Sequence, residues 1–156
     1  MIATPEIGMA SMADARAIAL IARDEIEQGL GWSWTPARVQ RCIRDPHTNV
    51  IVAREGSVVV GFALMSYDAE HAHLLLFGVA PARRRQGVAS ALWAWLESTL
   101  RTAGILSAQV ELRAINHGAR AFYEHVGFEQ VNATQRYYRG VETALHMVKE
   151  LAPGIE

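Results

Sequence analysis

Three consecutive arginines lie between a predicted strand and a predicted helix, where they could bind an anion. Residues 83–89 read Arg-Arg-Arg-Gln-Gly-Val-Ala and lead directly into the pattern of a long amphipathic helix. A helix N-terminus presents N–H groups and a partial positive charge, and both favour phosphate. The small residues Gly87 and Ala89 would let phosphate oxygens approach the backbone. The segment predicts a pyrophosphate-binding turn; the alternative is a solvated basic turn whose glycine eases helix packing.

The segment is neither of two common phosphate-binding sequences. No Gly-Lys-Ser/Thr follows it, as a P-loop requires, and the pattern Gly-x-Gly-x-x-Gly of dinucleotide-binding proteins is absent. The turn by itself therefore does not identify a ligand. The neighbouring strands and helices must position the other residues of a binding site beside it.

Those elements form a mixed α/β pattern. Hydrophobic periodicity, caps and turn residues predict the order β-α-α-β-β-β-α-β-α-β-β. The predicted helices end near Gln28, Arg44, Thr102 and Gly127, and the predicted strands are Ile7–Ala10, Val50–Arg54, Val58–Tyr67, His73–Val79, Leu106–Arg113, Phe128–Ala133 and Thr143–Val148. The fourth strand, third helix and fifth strand predict a central parallel crossover in a mixed, mostly antiparallel sheet.

Composition limits the possible classes of protein. The chain has 156 residues, 51% of them hydrophobic, and a formal net charge of −1, which favours one domain over residues 1–156 and argues against a nucleic-acid partner. Cys42 is the only cysteine, so no intrachain disulfide can form. The N-terminus lacks a signal-peptide pattern, and no apolar stretch is long enough to cross a membrane. We expect a cytoplasmic monomer or homodimer with no membrane partner.

Two histidines could suggest a metal site. His71 and His73 share one face of a predicted strand. Two histidines without a nearby third ligand are weak evidence for zinc, so we expect no metal.

Two motifs, in this order, resemble those of the GNAT N-acetyltransferase superfamily. Arg84-x-x-Gly87-x-Ala89, after a Val-x-Pro strand end, resembles its acetyl-CoA-binding motif, and Asn116 with Ala121-Phe122-Tyr123-Glu124 and Gly127-Phe128 resembles its second motif. The resemblance covers the segment from Val58 to Met147 and implies the GNAT fold and transfer of acetyl from acetyl-CoA to a primary amine. The interval from Glu111 to Tyr123 and the segment Arg136-Tyr137-Tyr138 are similar to the ribosomal-protein alanine N-acetyltransferase branch.

The resemblance implies that acetyl-CoA lies between the central parallel strands, which end near Val79 and Arg113. Backbone groups of Phe77, Gly78 and Val79 would pair with the pantetheine arm, and a bulge at Gly78 would direct an N–H at the thioester carbonyl. Asn116 would contact the pantetheine, fix the start of its helix, or both. The pyrophosphate would be held by Arg84, Arg85, Gln86, Gly87, Val88 and Ala89.

The resemblance also implies two catalytic residues. Tyr123 would protonate the departing CoA thiolate, since a tyrosine hydroxyl of pKa about 10 can donate to a thiolate whose thiol has a pKa near about 8.5. The alternative is a packing role in an aromatic stripe, but we expect Phe122 to fit the inward face better. Glu111 would be the general base, directly or through a water. The alternative for Glu111 is an ion pair with Arg113 or with a neighbouring strand.

The acceptor should be an amine bound near four aromatic residues, Trp32, Trp34, Tyr137 and Tyr138. Trp34 could instead pack on the second helix. At pH 7 a lysine amine costs about 4–5 kcal/mol to deprotonate and an α-amine only about 1 kcal/mol, which favours a protein N-terminus or a weakly basic small molecule. Both remain open, and a non-catalytic acyl-CoA-binding module is the alternative outside enzymes. Direct attack by the amine needs no covalent acyl-enzyme.

Overall fold

The computed structural model describes residues 5–138 and 142–151, and the side chains of residues 136–138 are outside that description. Seven strands and four α-helices follow one another in the predicted order. The strands are Glu6–Met9 (β1), Thr48–Glu55 (β2), Val58–Tyr67 (β3), His71–Val79 (β4), Ser107–Arg113 (β5), Glu129–Tyr138 (β6) and Glu142–Glu150 (β7). The helices are Ala15–Ile21 (α1), Pro36–Arg44 (α2), Val88–Thr102 (α3) and His117–His125 (α4).

The predicted fold class is confirmed. The described strands form a mixed sheet in the order β1-β2-β3-β4-β5-β7-β6. β4 and β5 pair in parallel across the α3 crossover, whereas β1–β2, β2–β3, β5–β7 and β6–β7 are antiparallel. No helix among the described residues is both long and apolar enough to span a membrane.

The chain packs as two compact units, and the expectation of one domain stays a prediction. The first unit contains residues 5–66 and 76–98, and the second contains residues 67–75, 99–138 and 142–151. β4 contributes residues to both.

In the first unit, small residues let α3 begin close to the sheet. A Cβ atom at Gly61 in β3 would lie 3.0 Å from Val88 Cγ1 and 3.1 Å from Leu92 Cδ1. Both side chains belong to α3 and are buried. The glycine therefore lets the first turns of α3 pack closely against β3. These turns carry the predicted phosphate site.

In the second unit, β4, β5 and β7 have one buried and one half-exposed face. Ala72, Leu74, Ala108, Val110 and Leu112 are buried at alternate positions. The residues between them are mostly polar and half-exposed, so one face of these strands presents polar side chains to solvent.

Several element boundaries differ from the sequence expectations. The first helix is three pieces, a 3-10 turn at Met12–Asp14, then α1, then a π-helical turn at Ala22–Ile26, and it ends before Gln28. β6 reaches Tyr138, which pairs with Glu142 of β7 after a register irregularity that begins at Thr134, so the strand extends into the segment expected to connect the last two strands. Cross-strand pairing, which local sequence does not show, extends β6.

Candidate functional site

The turn between β4 and α3 contains two residues in the left-handed region. Arg85 has φ 62° and Gly87 has φ 84°. Left-handed backbone at a non-glycine residue costs about 1–3 kcal/mol and is concentrated at functional sites. A Cβ atom at Gly87 would meet no atom within 4 Å, so the space beside this residue is open. Ala91 N–H donates to Gly87 O, and the earlier N–H groups of α3 therefore point toward the turn.

Two arginines of this turn already have carboxylate partners. Arg84 Nη2 donates to Glu25 Oε1 at 2.6 Å, and Arg83 Nε donates to Glu55 Oε1 at 2.6 Å. The Arg84 side chain is 52% exposed and that of Glu25 is 22% exposed. An anion that binds Arg84 must compete with the Glu25 carboxylate or share the guanidinium with it.

The end of β4 carries the three residues predicted to bind the pantetheine arm. The ladder between β4 and β5 runs from His71↔Ser107 to Leu74↔Val110, whereas β4 continues to Val79. A Cβ atom at Gly78 would lie 3.0 Å from Phe62 Cε1 and 3.2 Å from Ile26 Cδ1. The structure thus gives Gly78 a packing role; the proposed bulge there stays a prediction.

Glu111 lies on the half-exposed face of β5 and contacts a histidine of β4. Its Oε1 is 3.7 Å from His73 Nε2, and the two side chains are 32% and 35% exposed. Burial lowers the pKa of His73 from its ordinary value, and the positive charge of His146 also lowers it, whereas the Glu111 carboxylate raises it. The cross-strand pair considered for Glu111 is therefore present, and His73 is its partner.

Other polar residues surround this pair. His146 Nε2 lies 2.7 Å from Gln109 Oε1, and His146 is the cross-strand neighbour of Glu111. Arg113, the other ion-pair partner considered for Glu111, donates from Nε to Glu142 Oε1 at 2.6 Å. That contact holds the pKa of Glu142 below its usual range.

Asn116 and Tyr123 lie at the start and near the end of α4. Asn116 Oδ1 accepts from Ala119 N–H at 3.0 Å, so the predicted N-cap is confirmed. The expectation that Phe122 faces inward more than Tyr123 is wrong, since Tyr123 is only 6% exposed and Phe122 is half-buried. Phe128, beyond the helix, packs edge-on against the Tyr123 ring at a centroid distance of 5.4 Å. Because Phe128 lies outside α4, the helical spacing of apolar residues does not predict this contact.

The loop between α1 and α2 lines a cavity of about 670 Å³. Trp32 lines it, and its Nε1 donates to Ala19 O at 3.2 Å. Trp34 does not line it; Trp34 is buried, with the Arg38 guanidinium 3.7 Å from its ring centroid, so it packs on α2 as the alternative predicted. The side chains of Tyr137 and Tyr138 are outside the described residues. The cavity is lined by Arg23, Asp24, Glu25, Glu27, Gln28, Gly29, Gly31 and Trp32.

Glu27 holds this loop in place. Its buried carboxylate accepts the backbone N–H groups of Ser33 and Trp34, each at 3.1 Å. Three polar residues that contact predicted site residues or their loops were not predicted from the sequence: Glu25 and Glu27 in the first unit, and His73 in the second. Of these residues, only His73 could have been found from the sequence, because it lies on the half-exposed face of a strand predicted to neighbour that of Glu111.

Metal ligands do not cluster in the described part of the chain, where no group of three or more His, Cys, Asp or Glu side chains could hold an ion. The Nδ1 atom of His71, one of the two histidines considered, lies 2.9 Å from Ser107 Oγ.

The sequence matches a family model described as an acetyltransferase (GNAT) domain over residues 21–151. It is 34% identical over 113 residues to the N-alpha-acetyltransferase RimI of Mycobacterium tuberculosis, an alignment that spans 68% of each chain. It is 32% identical over 80 residues to the ribosomal protein bS18-alanine N-acetyltransferase of Escherichia coli K12, which spans 51% of this chain and 54% of that relative.

Two solved structures have similar folds. Ard1 from Thermoplasma volcanium superposes with a TM-score of 0.84 at 29% identity, over 95% of this chain and 98% of the other. The ribosomal-protein-S18-alanine N-acetyltransferase from Escherichia coli superposes with a TM-score of 0.82 at 23% identity, over 97% of each chain, and this similarity concerns the fold alone.

Proposed function

Because the chain belongs to the GNAT acetyltransferase family, we propose that it transfers an acetyl group from acetyl-CoA to the α-amino group of a protein N-terminus. The observation that carries this proposal is the open, left-handed turn before α3. Gly87 leaves free space beside the helix N-terminus, and Arg84 places a guanidinium group at the same turn. Backbone N–H groups, helix dipole and arginine together suit the two phosphates of a coenzyme A.

Each part of acetyl-CoA has a proposed binding segment. The pyrophosphate binds residues 84–89, with the N–H groups that open α3 as its main donors. The pantetheine arm pairs with the backbone of Phe77, Gly78 and Val79, beyond the last β4–β5 pair at Leu74↔Val110. A backbone N–H of this segment donates to the thioester oxygen as negative charge develops there. Asn116 acts as the N-cap of α4 and contacts the pantetheine.

The proposed chemistry is direct attack by the amine. The neutral form of the amine attacks: its nitrogen forms a bond to the thioester carbon as the carbonyl π bond opens, and the proton of the resulting cationic nitrogen passes to Glu111. The C–S bond then breaks, and the Tyr123 hydroxyl gives its proton to the CoA sulfur. Cys42 is a poor candidate for a covalent intermediate because burial raises the pKa of its thiol, which disfavours the reactive thiolate.

An α-amine is the proposed acceptor for two reasons. One curated relative is named an N-alpha-acetyltransferase and another a ribosomal protein bS18-alanine N-acetyltransferase. Deprotonating an α-amine also asks little of the base, about 1 kcal/mol at pH 7. The cavity beside Trp32 includes the carboxylates of Asp24 and Glu25, which would attract the cationic amine before it loses its proton. The comparisons give no support to the non-catalytic acyl-CoA-binding alternative.

A matched pair of peptides tests the proposal. One short peptide begins with a free alanine and contains no lysine; the other has the same sequence with a blocked N-terminus and one lysine. Release of free CoA thiol and the mass of each peptide are followed with acetyl-CoA present. We expect acetylation of the first peptide only. Thiol release with small amines but with neither peptide would contradict the proposed acceptor, and no release with any amine would contradict the proposed transfer.

A further inference from the structure

His73 is placed to take part in proton transfer with Glu111. It lies one residue before Leu74, the last β4 residue paired with β5, and on the same half-exposed face as Glu111. Its Nε2 is 3.7 Å from Glu111 Oε1, which a small side-chain movement can shorten to a hydrogen bond. Both side chains are about one-third exposed, so an incoming amine can reach this pair.

We propose that His73 receives the proton that Glu111 takes from the attacking amine. This inference rests on the proposed function. The neutral amine attacks the thioester carbon, the N–H bond of the resulting cationic nitrogen breaks, the proton passes to a Glu111 oxygen, and it then passes to His73 Nε2. The imidazolium that forms stays beside the regenerated Glu111 carboxylate, so the charge of the pair is balanced. In this scheme His73 does not contact the acceptor amine. It acts through Glu111 and is therefore a positioning residue.

The general chemistry of the groups favours such a second acceptor. Carboxyl groups of glutamate in water have pKa values of about 4.3, histidines about 6.5 and α-amines about 7.7–8.0. A proton taken from an α-amine is held more firmly by an imidazole than by a carboxylate alone. General bases work best when their pKa is near the working pH, and a histidine meets that condition better than a glutamate does.

Burial of His73 favours its neutral form, which can accept a proton. Burial lowers the pKa of His73 most strongly, the Glu111 carboxylate raises it to a smaller extent, and His146 contributes a still smaller lowering. His73 is therefore neutral near pH 7, the state an acceptor needs. As pH falls through its lowered pKa, His73 becomes protonated and can no longer accept. The rate should therefore fall on the acid side, below about pH 6.5.

The pH dependence of activity tests the relay. The assay measures kcat and KM for the alanine peptide with wild type, His73→Gln and the control His71→Gln, which changes a histidine of the same strand face. We expect His73→Gln to lower kcat by about tenfold, to change KM less than about twofold, and to remove the acid-side fall that His73 causes. His71→Gln should keep the wild-type profile. A His73→Gln profile that matches wild type would overturn the inference and leave the proposed function intact.

A measurement without turnover separates the two proposals. The ring resonances of His73 are titrated by NMR in the wild type and in Glu111→Gln, with the exposed His125 as the control for general effects of the substitution. Removing the carboxylate should lower the pKa of His73 further, by about half a unit or more. An unchanged His73 pKa would overturn the coupling whatever the activity. A lowered pKa in a protein that acetylates no amine would instead contradict the proposed function, and the relay with it.

Discussion

The ion pair between Arg84 and Glu25 predicts that Glu25→Gln tightens the binding of CoA. Arg84 is proposed to contact the pyrophosphate, yet its guanidinium donates to Glu25 Oε1 at 2.6 Å. In the wild type, CoA must displace this carboxylate or bind beside it. Glutamine keeps the shape of the side chain and removes the negative charge, so Arg84 is released for the phosphate and a repulsive charge near it disappears.

The size of the effect follows from the exposure of the pair. The Arg84 side chain is 52% exposed and that of Glu25 is 22% exposed, so solvent and salt screen their attraction. Exposed ion pairs contribute about 0.2–1 kcal/mol to stability. Loss of that competition should lower the Kd for CoA by about 1.5- to 5-fold. The gain should shrink at high salt, because salt already weakens the wild-type pair.

Isothermal titration calorimetry with CoA, at low and high salt, measures this change. Glu55→Gln is the matched control, since Glu55 binds the adjacent Arg83 at the same 2.6 Å and with similar exposure, but Arg83 is not proposed to touch the coenzyme. We expect tighter binding in Glu25→Gln and wild-type binding in Glu55→Gln. Equal changes in both variants, or weaker binding in Glu25→Gln, would refute the competition between Glu25 and phosphate for Arg84.

Three further predictions concern other parts of the structure. Gly87→Glu should weaken CoA binding at least about tenfold by calorimetry, whereas Gly104→Glu, which has the same open space and positive φ at the other end of α3, should not; equal losses would contradict the phosphate site. Tyr123→Phe should lower kcat about 10- to 100-fold, because it removes the proposed proton donor and keeps the ring; full activity would exclude the acid role. Asp14→Asn should cost about 2 kcal/mol of unfolding free energy near neutral pH, measured with urea. Hydrogen bonding to Arg54 lowers the pKa of Asp14, so this stabilisation is present above about pH 4 and is lost as pH falls further; a pH-independent difference would refute that origin.

Local signals predicted the order of the elements and the backbone conformation of the turn before α3. The residue type of Asn116 predicts a helix cap, and its side chain accepts the Ala119 N–H as expected. Gly87 was identified from its position before an amphipathic helix, and it has the left-handed φ that favours glycine. Such features depend on interactions within a few residues of sequence, so composition and spacing are enough to predict them.

Contacts between distant residues were not predictable in the same way. Arg84 and Glu25 are far apart in sequence, and nothing near either residue indicates their pairing. The burial of Tyr123 depends on Phe128, which lies beyond the helix, so the helical pattern alone favoured Phe122. The contact between His73 and Glu111 depends on the register of β4 against β5, which a one-residue shift would abolish.

The π-helical turn at Ala22–Ile26 and the residue after it carry two glutamates that make different contacts. Glu27 N–H donates to Ala22 O at 2.8 Å, five residues back, and such turns occur frequently at functional sites. Glu25, within this turn, binds Arg84 of the turn before α3, while Glu27, directly after it, accepts hydrogen bonds from the backbone of the loop that carries Trp32. Because Glu25 also lines the cavity beside Trp32, a coenzyme that displaces it from Arg84 leaves its carboxylate in the proposed acceptor cavity. Binding of the coenzyme and of a cationic acceptor should therefore be coupled through Glu25, since the same carboxylate that opposes the first would attract the second.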